Sequence, residues 1–274
     1  MKPRTGLFAE SLRMALTSVR LHKMRSGLTL LGIVIGITTL VGMVSLVQGL
    51  NQSMARQIKS LGTSVLYVRK FEPGLFMGEV PDSLRHRKDF TTEDALAVSR
   101  FCPSVAAAAA VSFVGVPLKY RDRETRFSQV VGSWPEYLEI HDLAISSGRS
   151  FTEEEVLHKA DVCILGQELL ETLFPQSTSV GRWILMGGKR FLVVGELEKR
   201  GRLLGNSLDD YAIVPQSTLK KRFGSELQTV IDAKPVSVER TQGAIEEITE
   251  LLRRRRGVPL HRSEEFAVLT EDVI

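Results

Sequence analysis

Between Arg25 and Arg56 the sequence contains no charged residue, a gap too long for a helix that must keep one face in water. The chain also lacks the short motifs by which proteins commonly hold nucleotides, zinc or acyl groups. No Gly-x-x-x-x-Gly-Lys-[Ser/Thr] occurs, which excludes a phosphate-cradling loop of that kind. Neither His-Glu-x-x-His nor Gly-x-Ser-x-Gly is present. His22, His86, His141, His158 and His261 are scattered, without metal-ligand spacing. Two cysteines, Cys102 and Cys163, are too few for a disulfide framework or a zinc centre. Each stands beside apolar residues and reads as a buried free thiol; a bridge between them stays open, although nothing in the spacing argues for it.

What the charge gap encloses is Gly27 to Gly49, GLTLLGIVIGITTLVGMVSLVQG. As a helix this run reaches about 34 Å, enough to cross a hydrocarbon core of about 30 Å. It is longer than the apolar part of a cleaved signal peptide, and the nearest small-x-small triplet, Ser53-Met54-Ala55, lies beyond its end. An uncleaved anchor is the expectation. A sequence pI near 9.1 invites a nucleic-acid partner, but the basic residues are unevenly placed. Lys2, Arg4, Arg13, Arg20, Lys23 and Arg25 precede the run against Glu10 alone, whereas the whole chain carries only +4. This is the positive-inside pattern: it predicts a cytoplasmic N-terminus, residues after about 50 outside the cytoplasm, and no nucleic acid.

In the flank, Phe8, Leu12, Ala15, Leu16 and Val19 recur at helical spacing, with Arg13 and Arg20 elsewhere on the turn. An amphipathic helix lying on membrane lipid is expected there. Within the span, Gly32 and Gly36 form Gly-x-x-x-Gly and Gly42 follows, small residues that let a second helix approach. Asn51 to Leu61 continues the helical pattern, and Gly62 is a natural stop.

The remainder is a mixture of strands and helices, with ordinary proportions of apolar and charged residues for a folded domain. Thr91 or Thr92 followed by acids starts a helix that Pro103 breaks. Val105 to Tyr120 is read as extended in spite of five consecutive alanines, because Val111 to Leu118 and Pro117 look like strand. Further strands are expected near 125–131, 161–165, 181–185, 191–195, 211–214, 229–233 and 265–269, with helices near 167–174 and 239–254. Asp209-Asp210, in the polar loop 198–210, reads as a pair of solvated turn residues rather than a catalytic dyad. Arg253 to Arg256 reads as a solvated helix end, where cations suit the dipole.

A basic amphipathic flank, then Leu28-Thr-Leu-Leu-Gly-Ile-Val-Ile-Gly36, Gly49 and Ile58-Lys-Ser-Leu-Gly-Thr63 stand in one order. Val130-Val-Gly132 with Pro135 and Tyr137, Gly148-Arg149 with Phe151, and Ile164-Leu-Gly166 with Leu173-Phe174 follow. Gly181, Phe191-Leu-Val-Val-Gly195, Asp209-Asp210 with Ile213-Val-Pro215, and Glu265-Phe266 complete the series. Over about residues 8–270 this order resembles the N-terminal half of a MacB-type ABC transporter permease of the FtsX superfamily. The resemblance implies an α+β fold: a cytoplasmic flank at 1–25, one transmembrane helix at 26–50, and a periplasmic core domain at 51–274. That domain would have a porter-like lobe from about 60–120 and 225–270 and a β-rich lobe from about 121–224.

The resemblance also implies a cytoplasmic ABC ATPase that binds the ATP, so that this chain itself needs no cofactor. A second permease copy, a periplasmic adaptor and the bacterial inner membrane complete the expected setting. Permeases of this kind carry three more membrane helices after the core domain. No later apolar run is long enough here, so an N-terminal fragment, split product or functional truncation is expected. Two readings stay open: a non-enzymatic subunit transmitting ATP-driven motion for efflux or mechanotransmission, and a membrane-anchored periplasmic binding module without ATPase coupling. An anchored hydrolase has little support, because no nucleophile–base arrangement is visible.

Overall fold

The computed structural model describes residues 14, 22–60, 65–70, 87–203, 206–257 and 266–270. The flank residues Phe8, Leu12, Arg13, Leu16 and Arg20 lie outside that set. The chain forms two compact units, residues 1–62 and 63–274.

The first unit is dominated by helix α1, Lys23–Ser60, 38 residues without a break. Its first part, Lys23–Gly49, is long and apolar enough to cross a membrane, and none of that window is buried within the protein. Thr29 and Thr39 sit in this stretch without stranded hydroxyls. Thr29 Oγ1 donates to the Arg25 carbonyl at 2.9 Å and Thr39 Oγ1 to the Ile35 carbonyl at 2.8 Å. Polar side chains that close their hydrogen bonds on their own helix are the form tolerated in hydrocarbon. The helix continues past the apolar run through Asn51–Ser60.

Among the described residues the second unit is built on one twelve-stranded mixed sheet, with helices packed on its faces. The strands are β1 (Leu66–Arg69), β2 (Val105–Val116), β3 (Leu118–Tyr120), β4 (Arg123–Glu124), β5 (Ser128–Ser133), β6 (Ile145–Gly148) and β7 (Val162–Leu165). They continue as β8 (Trp183–Met186), β9 (Lys189–Leu197), β10 (Arg202–Leu203), β11 (Asn206–Ser207), β12 (Tyr211–Pro215), β13 (Thr229–Pro235) and β14 (Ala267–Thr270). The spatial order is β14-β1-β13-β2-β5-β12-β7-β9-β8-β3-β4, with β6 on β9 and β10–β11 a separate hairpin. Pairings are antiparallel except β5–β12 and β7–β9.

The alanine run lies in the middle of this sheet. Ala106–Ala110 belongs to the part of β2 that pairs with β13, with β5 taking over at Ser112–Val116, against the helix propensity of alanine. The reason is tertiary: both faces of β2 are covered. Ala108 and Ala110 join a core with Leu66, Val68, Ile231 and Ala233, whereas Ala107 and Ala109 pack with Val65 and Ile140 on the other side. Small side chains let helices come close on both faces. On the first face those helices are α2, Thr92–Phe101, and α7, Thr241–Arg256, contributing Ala95, Val98, Ala244, Ile248 and Leu252. Helix α2 opens with a reciprocal cap: Asp94 N donates to Thr91 Oγ1 and Thr91 N to Asp94 Oδ2, both at 3.2 Å.

A second cluster is enclosed by a curl of the sheet. The chain leaves β2 at Val116, passes Pro117, and re-enters at Leu118 as β3, which pairs with β8. Proline supplies no N–H there, but its carbonyl accepts from Gly187 N at 2.9 Å. β5, β12, β7, β9 and β8 thus run between two halves of one strand path. They enclose Leu118, Val130, Leu165, Phe191, Val193 and Val214 against Leu169 and Leu173 of helix α5 (Gln167–Leu173) and Leu219 of helix α6 (Gln216–Phe223). Two short helices, α3 (Tyr137–Ile140) and α4 (Glu153–Leu157), and a 3-10 turn, Val238–Arg240, complete the described elements.

Between these two apolar clusters runs a polar seam. Thr229 of β13 stands opposite Ser112 of β2, with their hydroxyl oxygens 3.4 Å apart. From α6, Gln216 Nε2 donates to Ser112 Oγ at 3.4 Å and Lys220 Nζ donates to Thr229 Oγ1 at 2.6 Å. Thr92 Oγ1 donates to Gln216 Oε1 at 3.2 Å.

Candidate functional site

Strand alternation places Tyr67 and Arg69 of β1 on the sheet face opposite Leu66 and Val68. Asp232 of β13 is in register with Tyr67, so its carboxylate emerges on the same face, beside Arg69. Arg69 Nη1 lies 2.9 Å from Asp232 Oδ1, and His141 Nε2, just past α3, lies 3.1 Å from Oδ2. The Asp232 side chain is 1% exposed. Burial drives its pKa upward, but the Arg69 charge and the His141 hydrogen bond outweigh that, and the net shift is downward. The cluster is walled by rings: the Arg69 guanidinium lies 5.0 Å from the Tyr67 ring centre and 6.0 Å from that of Phe113. Tyr137 stacks obliquely on His141 at 4.2 Å. Burial pushes the Tyr137 hydroxyl well above its ordinary pKa, and that of Tyr211 up to about 12.

These groups line one side of an open cleft of about 340 Å³ that also touches Gln129, Arg200 and Asp210. Both Asp232 oxygens are held by cationic or ring N–H partners, and its acidity is enhanced. Such a carboxylate is a clasp rather than a base. It ties β1 and β13 to the end of α3, and a second tie runs alongside. Lys234 Nζ donates to the Glu139 carbonyl at 3.0 Å and pairs with Asp142, whose φ is +48°.

Two expectations need correction here. Asp209 is not a solvated turn residue: it is 4% exposed. Its Oδ1 and Oδ2 accept the backbone N–H groups of Arg200 at 2.9 Å and Gly201 at 2.8 Å, holding the loop that borders the cleft. A buried carboxylate is satisfied by main-chain donors in place of water. Asp210 is half-buried beside it, and desolvation raises its pKa. Nor is Arg253–Arg256 simply a solvated helix end. Arg255 Nε lies 3.0 Å from Asp94 Oδ1, and Arg256 donates to the Lys88 and Asp89 carbonyls while covering the Phe90 ring at 4.7 Å. The C-terminus of α7 therefore pins the N-terminus of α2.

The glycines singled out in the apolar run lie on α1. A Cβ placed on Gly32, Gly36 or Gly42 would meet no atom within 4 Å. At about 100° per residue, Gly32 and Gly36 share a face, and Gly42 lies roughly 80° from Gly32 and about 120° from Gly36, nearer the line of Gly49. Elsewhere, motif glycines mark chain crossings. A Cβ at Gly166 would lie 2.3 Å from the Asp209 carbonyl oxygen, and one at Gly195 would lie 2.4 Å from that of Arg149.

Missed from the sequence were helix α6 (Gln216–Phe223) and two further features, the Arg69–Asp232–His141 cluster and helix α4. The former joins residues 163 positions apart, which no local pattern announces. The latter had a signal, Thr152-Glu-Glu-Glu155, a capping box in which Glu155 N donates to Thr152 Oγ1 and Thr152 N to Glu155 Oε2. Both cysteines are buried and free, and burial raises the Cys102 thiol to about 11.

Residues 26–251 match the family described as MacB-like periplasmic core domain. The chain is 32% identical over 256 residues to the macrolide export ATP-binding/permease protein MacB of Rhodospirillum rubrum, covering 91% of this chain and 38% of that protein. It is 31% identical over 268 residues to the protein of the same name from Neisseria meningitidis serogroup B, covering 97% of this chain and 40% of that one. The chain thus spans about two fifths of these curated relatives. Among solved structures it is similar to the periplasmic region of MacB from Actinobacillus actinomycetemcomitans, with a TM-score of 0.61 at 16% identity over 80% of this chain and 94% of that one. It is likewise similar to the extracellular domain of the noncanonic ABC-type transporter YknZ from Gram-positive bacteria, with a TM-score of 0.58 at 20% identity over 75% of this chain and 99% of that one. At these identities the structures speak for the fold.

Proposed function

Because the chain belongs to the family of the MacB-like periplasmic core domain, we propose that it works as the first membrane helix and outer domain of a MacB-type ABC permease. In this reading a cytoplasmic ABC ATPase binds and hydrolyses ATP, and this chain, itself without enzymatic activity or cofactor, carries the resulting motion outward for efflux or mechanotransmission. The observation that carries the proposal is the length of α1. The helix outlasts its apolar stretch by Asn51–Ser60, as a rod that leaves a bilayer should.

Gly32 and Gly36 form the contact face for another helix of the complex, with Gly42 on a neighbouring face. The flank residues Phe8, Leu12, Arg13, Leu16 and Arg20 lie on anionic lipid at the cytoplasmic side of the inner membrane. The domain works as two lobes, 60–120 with 225–270 and 121–224, that meet near the polar seam. A second permease copy and a periplasmic adaptor complete the assembly; nucleic acid has no part in it.

The test is co-expression with an ABC-type ATPase and reconstitution in lipid, with spin labels at the exposed residues Leu96 and Phe127. Retention of the ATPase on purification and a change in label distances on adding ATP with vanadate are expected. A chain that purifies alone, with distances indifferent to nucleotide, favours the second reading, an anchored periplasmic binding module. The open cleft beside Arg69 is the observation on that side.

A further inference from the structure

A second cleft, of about 400 Å³, opens where α4, α6 and the start of α2 meet, away from the Asp232 cluster. Its lining includes Lys159, Lys220 and Lys221, the apolar surfaces of Trp134 and Val156, and the amide of Gln216, with no carboxylate. Arg222, on the same helix, is neutralised by Asp161, with Nε 2.8 Å from Oδ1. Among the described residues no carboxylate pairs with the three lysines. Lys220 is held instead by a neutral hydroxyl, Thr229 Oγ1. Lys159 is presented from a backbone with φ +55°, a left-handed conformation that a non-glycine residue adopts at some cost. Gln216 is 3% exposed, and its Nε2, with two N–H donors, makes one long contact to Ser112. The Trp134 Nε1 is buried without a partner.

We propose that this cleft binds a small amphiphile with a phosphate or carboxylate head group. The head is drawn in by the three ammonium groups, and the apolar body lies on Trp134 and Val156. Three lysines without a carboxylate partner in the lining of one cleft favour an anion. Thr92, Ser217 and Ser225 add hydroxyls to the lining, and the apolar wall of Trp134 and Val156 beside them favours a ligand with more than a bare head group. Nothing in this inference depends on an ATPase or on the transmission of motion.

Trp134 supplies the readout, once the chain's other tryptophan, Trp183, is changed to Phe. Full-length protein carrying Trp183→Phe is titrated with hexyl phosphate, inorganic phosphate or hexanol, following fluorescence. Hexyl phosphate should give a saturable change and bind at least about tenfold more tightly than either half-molecule. Lys221→Gln should weaken it about tenfold, as the loss of one charge-assisted hydrogen bond does, and Lys159→Gln with Lys221→Gln more strongly. Both lysines are exposed, so these variants keep the fold, and an unchanged thermal melt checks that. The proposal is overturned if hexyl phosphate gives no saturable signal, if inorganic phosphate or hexanol binds equally well, or if the double variant binds like its parent.

Discussion

Helix α1 and the sheet domain obey the same solvent rule with opposite sign. Over Lys23–Gly49 the apolar side chains face outward on every side, with Leu30 67% and Leu40 68% exposed and no core behind them. In residues 63–274 the same residue types are turned inward, and Leu66, Ile164 and Phe191 reach 0% exposure. An outward apolar surface of that extent is stable only in a medium that is itself apolar. The difference teaches that α1 presents a surface suited to lipid, whereas the second unit carries its own core.

The largest expected effect breaks the first half of that contrast. Ile35→Arg combined with Leu40→Arg, at about 2.5–3.5 kcal/mol per charge at the centre of a span, should move the protein out of the membrane fraction on carbonate extraction. The same pair should leave the melting of residues 63–274 untouched. Continued membrane retention would mean that α1 is not what holds the chain there.

Next in size is the buried ion cluster of the second unit. Asp232→Asn removes the charge that Arg69 and His141 share and should cost on the order of 3 kcal/mol, lowering Tm by roughly 6–12 °C in a calorimetric scan. Because the folded pKa of Asp232 lies below its unfolded value, its stabilisation is present above about pH 4 and fades as pH falls through the folded pKa. The variant should therefore show a shallower loss of stability on acidification. An identical acid limb in both proteins would remove Asp232 from the account.

Gly166→Ala should cost about 1–3 kcal/mol, since its methyl group would meet the Asp209 carbonyl that the loop cannot easily withdraw. Gly32→Ala, with nothing within 4 Å, should change the stability of the isolated chain within error. Any effect it has should appear in association with another helix, measured by cross-linking in lipid. Thr91→Ala should cost about 1 kcal/mol, through loss of the α2 cap, in a denaturant titration, which leaves Gly32→Ala with the smallest effect on stability.

How far the sequence reveals each unit follows from the range of the forces involved. The apolar run, the Thr91 cap and the strand at Val105–Val116 were legible, because length, capping pattern and β-branched neighbours act over a few residues. The order of glycine motifs showed the fold family, since Gly166 and Gly195 record where strands and loops pass too close for a Cβ. The Asp232 clasp was not legible: it needs β1, β13 and α3 to meet. Asp209 and the arginines at 253–256 were misread for a related reason. A polar residue in a loop or at a helix end is ordinarily wet, and only the packed chain shows that main-chain donors, Asp94 and Phe90 are waiting for it.

The proline break between β2 and β3 has a mechanical consequence. One continuous length of chain, Val105–Tyr120, is both the stave at which the curl begins and the stave on which it closes. Cutting the hairpin tip at Arg121-Asp122 would therefore free neither end. A tug on the alanine segment would be felt directly at β8, like a hoop tightened by its own strap.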